Sequence, residues 1–365
     1  MSEAVKTAFY DYHIQAGAKM VEFAGFCMPI QYSGITDEHL AVRTNVGLFD
    51  LSHMGEFEVS GPDALAFLQR TTTNNVADLQ VGQIQYSCMT MEHGGIVDDL
   101  LVYRMGPQEY LLVVNASNIA KDFAWLQSHL AGNVRLVDQS PATSLLAVQG
   151  PKAEEMMRQV TSFDLGAMPY YTWARAEIGG VKVLFSRTGY TGEDGFELYI
   201  PPPDTDRLWR VLTEAGKKFG MKLIGLGARD SLRLEMKMAL YGNDIDDTTT
   251  PVEAGLSWIV HFDKEFIGKP VLEKQRDEKP VRRLVCLELE GKAFPRHGYT
   301  ITDGAKPIGQ VTSGTFSPSL QKAIAMGYVP RDLSKVGSTV RVAIRGKEFP
   351  AVVVKPPFYK HGSHK

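Results

Sequence analysis

A chain of 365 residues exceeds what one hydrophobic core usually organises, so two or three packed domains are expected. With 44% hydrophobic and 22% charged residues it has an ordinary globular composition, and a net charge of −3 offers no basic excess for nucleic acid. The three cysteines Cys27, Cys88 and Cys286 form no Cys-x-x-Cys pair, which argues against a disulfide framework or a metal site. No run of about 18 apolar residues is available to span a membrane. The polar N-terminal stretch MSEAVKTAFYDYHIQAG lacks a secretory-signal pattern, so a reducing cytoplasmic compartment is expected.

Residues 55–60, GEFEVS, alternate as a strand, and Gly61-Pro62-Asp63 then opens the apolar-periodic run ALAFLQR. A helix is expected from Pro62, since a proline's missing N–H has no partner at a helix start. Residues 83–90, 94–105 and 110–114 read as strands separated by turn residues, and 119–130 as an amphipathic helix. The buried-strand pattern LLAVQ at 145–149 runs into Gly150-Pro151-Lys152 and AEEMM, repeating the V-x-G-P-x-A device at Gly61. The echo suggests related strand-to-helix corners in two packed units. Residues 176–200 return to strand character around a glycine-rich bend, while 204–219 and 228–240 have helical apolar spacing. The charged stretch EKQRDEKPVR at 273–282 reads as a linker. From Arg282 onward short strand-like segments alternate with Gly, Pro and Asp turns, predicting a small all-β barrel or sandwich. The fold class is α+β rather than alternating β-α-β.

Chemistry-bearing residues concentrate at few places. In SRTGYTGEDGFELYI, residues 186–200, Gly189, Gly192 and Gly195 recur every third position, which permits close backbone approach. Tyr190 offers a stacking face there, and Glu193, Asp194 and Glu197 offer acceptors; a wide hairpin with solvated acids fits the composition equally well. Arg229 follows MKLIGLG, where Gly225 and Gly227 are joined by Asp230 rather than a third glycine, so a dinucleotide turn is excluded. Arg229 is a candidate for fixing a polar ligand edge, against the commoner role of pairing with a neighbouring carboxylate. Asp98 and Asp99 sit within GGIVDDLLVYRM, and strand alternation sends one carboxylate to each face. A carboxylate facing a cavity or core is where functional pKa shifts arise, although a turn or a satisfied ion pair is the more frequent outcome. The nine histidines show no ligand spacing; His53 stands out alone and is read as structural.

In order along the chain, GAKMVEFAGFCMP (17–29), AVRTNVGLFDLSHMGE (41–56), GGIVDDLLVYR (94–104), LLVVNASNIAKD (111–122), AVQGPKAE (147–154), SRTGYTGEDGFE (186–197), GLGARDSLRLE (225–235), LYGNDID (240–246), GKPVL (268–272) and PFYK (357–360) resemble the aminomethyltransferase T-proteins of the glycine cleavage system. Their joint order over nearly the whole chain makes the resemblance specific. It implies a three-domain cloverleaf around a central folate hole, with antiparallel sheets plus helices. Residues 1–54 with 151–275 would form a discontinuous first domain, 55–150 a second, and 276–365 a C-terminal barrel-like domain.

The resemblance also implies a reaction. The aminomethyl group on the lipoyl arm of H-protein loses ammonia, and its methylene carbon passes to the co-substrate tetrahydrofolate, with no metal. Asp99 matches the family's catalytic aspartate, leaving Asp98 as a structural residue on the opposite face. Glu197 matches the pterin-binding carboxylate and Arg229 the ligand-contacting arginine. Asn115 would add a hydrogen bond, and Tyr86, Tyr170, Tyr171 and Tyr190 would supply flat walls for the folate rings. Phe26 stands where the family often has tryptophan, and the tail KHGSHK beyond Tyr359 departs from the family pattern. Rival readings within the same fold are a sulfonio-acid demethylase, a sarcosine or dimethylglycine oxidase part, and a folate-binding iron–sulfur assembly factor. The oxidases need a flavin domain for which there is no room, and the assembly factors carry a KGC-type cysteine motif that is absent here.

Overall fold

The computed structural model describes residues 4–364 and comprises three large sheet-based bodies and a small three-stranded sheet of Val5–Lys6, Phe26–Gln31 and Lys19–Phe23. The first is a six-stranded sheet in the order Trp173–Ile178, Val181–Ser186, Gly195–Ile200, Ser144–Gln149, Gly47–Asp50, Lys222–Ile224. Its pairs are antiparallel except for Lys222–Ile224, which runs parallel to Gly47–Asp50. The strand Ser144–Gln149 falls inside the stretch 55–150 assigned above to a second unit, yet both of its neighbours belong to this sheet. Leu146 and Val148 point into a core with helices Ala153–Met157 and Thr205–Gly216, while Leu145 and Ala147 point the other way into a second apolar layer. A strand covered on both faces explains the unbroken apolar run LLAV.

The second body is an antiparallel five-stranded sheet, ordered Ile84–Thr90, Ile96–Gly106, Glu109–Val114, Gly55–Ser60, Arg135–Asp138. Helices Ala64–Thr71 and Ile119–Ser128 cover one face through Phe67, Leu68 and Leu126. Its opposite face contributes Leu101, Tyr103, Leu111 and Val113 to the same apolar layer that holds Leu145, Ala147 and Tyr199. The two sheets are therefore packed face to face. Side chains alternating toward that layer stand where a ligand between them would be met.

The third body is a closed six-stranded barrel of Arg282–Leu289, Lys322–Pro330, Pro307–Ser317, Thr300–Thr302, Thr339–Ile344 and Lys347–Val354. Buried polar bonds dock it on helix Leu226–Glu235: Arg233 donates to Ser313 at 2.7 Å, Ser317 donates to Glu235, and Asp244, which accepts from Arg233 at 2.6 Å, also accepts from Thr312 of the barrel at 2.5 Å.

The echoed corners have one construction. Gly61 and Gly150 take φ of 123° and 140°, and a Cβ on either would lie 2.3 Å from a backbone oxygen, of Asn133 and Asn45 respectively. In each corner the residue two positions on, Asp63 or Lys152, donates its N–H to that same oxygen. The prolines sit in the turn, so the helices begin at Ala64 and Ala153 rather than at the prolines. The helix expected at 228–240 spans Leu226–Glu235. The stretch read as a linker, 273–282, lies largely within helix Lys269–Glu278. Left-handed Gly268 and Pro270 open that helix, Leu272 is its buried anchor, and its charges form i,i+3 and i,i+4 pairs on the exposed side. Composition disclosed the solvated face and hid the single anchor.

Candidate active site

The glycine-rich loop between Ser186 and Gly195 is packed from both sides. A Cβ at Gly189 would meet the Gln149 side chain at 1.9 Å, one at Gly192 would meet Met236 at 2.4 Å, and one at Gly195 would meet the Val148 carbonyl at 2.4 Å. Both of its acids, Glu193 and Asp194, are consumed by arginines. Arg187, fully buried, pairs with Asp194 at 2.6 Å and Glu154 at 2.7 Å, and Arg43 pairs with Glu193 at 2.7 Å. These acids are thus not solvated. Arg43 also pairs with Glu235 at 2.9 Å; although burial opposes it, His39 and Arg43 hold that carboxylate down at about 2.

The tail beyond Tyr359 completes this junction. Ser363 donates to Glu193 through its N–H at 3.0 Å and its hydroxyl at 2.6 Å, and that hydroxyl accepts from the Asp194 N–H at 3.0 Å. His364 Nδ1 bonds the Gly192 carbonyl at 2.8 Å, and the Tyr359 ring lies 4.1 Å from the Arg43 guanidinium.

Glu197 is left over. Strand alternation sends Phe196 and Leu198 into the first core and Glu197 with Tyr199 toward the layer between the sheets. Thr188 donates to its Oε2, and Oε1 has no donor among the described residues. Burial raises the carboxyl, partly opposed by Thr188 and by the charge of Arg229. Glu197, Arg229 and Tyr190 line one small pocket together with Phe49, Leu51 and Ala147. Arg229 lies over the Tyr190 ring at 4.4 Å, and its guanidinium makes no hydrogen bond or ion pair with any described residue, although the charges of Glu197 and Asp230 act on it. The Tyr190 hydroxyl donates to the Ala239 carbonyl, which fixes the ring. His53 borders this region with an unpaired, buried Nδ1; burial and then the Arg229 charge push its pKa down to about 3, leaving the ring neutral. A larger open groove along Ala142, Arg175, Glu177 and Lys182 contains none of the expected residues. The smaller cavity is where buried charge converges.

A bulge at Val97 comes just before Asp98 and Asp99 and sets which way each points. The register between Ile84–Thr90 and Ile96–Gly106 shifts at Met89/Thr90, leaving Val97 in the helix-covered core and Asp99 in phase with Leu101 and Tyr103 on the opposite face. Asp98 is fully buried and accepts from the Asn115 N–H at 3.0 Å, Asn115 Nδ2 at 2.9 Å and Asn118 Nδ2 at 2.6 Å. Asp99 accepts from the Tyr86 hydroxyl at 2.8 Å and from Asn115 Nδ2 at 2.9 Å. Burial, then the adjacent Asp98 charge, pushes the Asp99 carboxyl up to about 7. One asparagine thus ties the two carboxylates together.

Tyr171 joins the two halves. Held at φ 62° in the corner before Trp173–Ile178, it lies near enough to both Glu197 and Asp99 for each to raise its hydroxyl. Tyr170 packs edge-on against Tyr171 at 4.8 Å and meets the His364 ring at 5.4 Å, so it belongs to the seat of the tail. Sequence reading missed Thr188, which lies inside the glycine motif, and Tyr103 with Tyr199, whose hydroxyls bond at 2.7 Å beside Glu197. Among the described residues no group of three or more His, Cys, Asp and Glu side chains could hold a metal ion, and no helix is long and apolar enough to cross a membrane.

Two sheets packed face to face, with a barrel docked beside them, hold a buried carboxylate and an arginine whose guanidinium is unpaired in one pocket. The GCVT N-terminal domain family matches residues 9–264, and the glycine cleavage T-protein C-terminal barrel domain family matches 282–360. An aminomethyltransferase of Bacteroides thetaiotaomicron is 54% identical over 97% of this chain and 99% of its own length, and one of Desulfitobacterium hafniense is 48% identical over 99% of each. The crystal structure of glycine cleavage system aminomethyltransferase T from Bartonella henselae matches with a TM-score of 0.93 at 35% identity, covering 99% of this chain and 100% of that one. The chain belongs to the glycine cleavage T-protein family, the folate-dependent aminomethyltransferases.

Proposed function

We propose that this aminomethyltransferase binds tetrahydrofolate between its two facing sheets and takes the carbon from the aminomethyl-lipoyl arm of H-protein. The observation that carries the reading is the cavity itself, where buried Glu197 has an oxygen without a donor and Arg229 has no acceptor. A desolvated carboxylate suits the side-by-side N–H donors of a pterin edge, and an arginine suits an electron-rich heteroatom or carbonyl. Tyr190 and Tyr171 present flat walls beside them.

Asp99 supplies the chemistry. As ammonia leaves, positive charge develops on the transferred carbon, and a carboxylate held beside it lowers that barrier. With a pKa of about 7, Asp99 can also accept a proton from a folate nitrogen or hold one near neutrality. Tyr86 and Asn115 fix its oxygens by direct hydrogen bonds. A reducing cytoplasmic setting goes with this reading, and is supported by three free cysteines. The test is to mix the chain with aminomethylated H-protein and tetrahydrofolate and to measure ammonia and methylene-folate. Turnover of a free small-molecule methyl donor without any need for the lipoyl protein would overturn the proposal.

A further inference from the structure

Asp122 lies in the first turn of helix Ile119–Ser128, fully buried, and neither of its carboxylate oxygens has a donor among the described residues. Lys121 is adjacent, but its Nζ stands 3.9 Å from Asp122 and is held by the Val97 carbonyl and the Tyr241 hydroxyl. The polar group within hydrogen-bonding reach of Asp122 is the Asp98 carboxylate. Two touching carboxylates in a buried site cannot both be ionised. The charge belongs on Asp98, which receives three N–H donors, and the proton belongs on Asp122, which receives none.

We propose that Asp122 is a positioning residue: a permanently protonated carboxyl that donates to Asp98 and, through Asn115, fixes the Asp99 carboxylate at the reacting centre. Burial, then the Asp98 charge, pushes its pKa up to about 11, in keeping with a proton kept throughout the working range. The titratable groups facing this cluster are Asp98 and Asp99 from their strand, Lys121 from the same helix, Cys88 and Tyr86 from the neighbouring strand and Tyr241 from the loop after helix Leu226–Glu235. Among them Asp122 acts as a neutral donor, so an amide should replace it.

Infrared spectroscopy of the full chain at pH 8 should show a carboxylic-acid carbonyl band that Asp122→Asn removes. The same variant should keep turnover within about twofold, because its amide N–H still donates to Asp98. Asp122→Ala should lose about tenfold or more, with little change in folate KM. Its acid-limb midpoint should move upward, because an Asp98 charge without that donor holds the Asp99 proton more tightly. No lost band, or an Asp122→Asn as impaired as Asp122→Ala, overturns the proposal. The positioning role rests on Asp99 as the reacting carboxylate, whereas the band does not depend on it. Loss of the band together with full turnover of Asp99→Asn would overturn the Asp99 assignment, and the positioning role with it, while leaving the proton on Asp122.

Discussion

Replacing Asp99 with asparagine removes one charge and leaves the shape. The carbonyl oxygen can still accept from Tyr86 or Asn115, so at most one of the two bonds at 2.8 and 2.9 Å is lost. Against that, the native carboxylate is unfavourable where it sits. A rise from 3.8 to about 7 corresponds to about 4 kcal/mol at ~1.4 kcal/mol per unit, an upper bound for a half-buried group. The sign follows from proton binding. Between about pH 4 and 7 the folded state holds a proton that the unfolded state has released, so ionisation of Asp99 costs stability as pH rises through that window. Asp99→Asn escapes this cost, and its melting temperature at pH 8 should not fall below the parent's. Turnover should drop by roughly 10²–10⁴-fold, the usual loss for a positioned acid–base group. The parent's turnover should climb with pH through about 7, and that limb should vanish in the variant. Ammonia release across a pH series, with calorimetric melts at its two ends, measures both. An Asp99→Asn enzyme that keeps parental turnover, or retains the climbing limb, refutes the assignment.

Glu197→Ala should weaken tetrahydrofolate binding by roughly 1–3 kcal/mol, the cost of leaving a desolvated polar edge unpaired; calorimetry giving parental affinity would mean another group anchors the pterin. Ser363→Ala removes the hydroxyl bonds to Glu193 and Asp194, and should lower folate affinity by about 1 kcal/mol with little change in melting temperature. Unchanged affinity would separate the tail from the ligand loop. Gly150→Ala places a methyl 2.3 Å from the Asn45 carbonyl at a φ of 140°, and should destabilise by about 2–4 kcal/mol in denaturant unfolding. Gly61→Ala should cost a similar amount, because its corner is built the same way.

Much of the fold was legible because its signals are local. Strand alternation and turn residues marked the barrel from Arg282 to Val354, and the two V-x-G-P-x-A corners advertised a repeated device that the hydrogen bonds bear out. The opposite faces of Asp98 and Asp99 also followed from alternation, although the bulge beside Val97 that sets their phase left no mark in composition. What stayed hidden depends on partners far along the chain. Glu193 and Asp194 look alike in sequence, and only Arg43, Arg187 and Ser363 show that both are paired with charge while Glu197 keeps one oxygen without a donor. Asp122 reads as an ordinary acid in a helix's first turn until Asp98 is seen beneath it.

The seat of the tail bears on the order in which the site can be made during synthesis. Four of the nine strand pairs within the two facing sheets join neighbours in the chain, such as Ile84–Thr90 with Ile96–Gly106, and can form as soon as both strands leave the ribosome; the other five still close before residue 225 has been made. The loop holding Tyr190 is different. Its Glu193 waits for Ser363, 170 residues later, and its Gly192 carbonyl waits for His364. A nascent chain that has finished both sheets still has this loop unfastened, so the proposed folate site is complete only when residues 363 and 364 have been made.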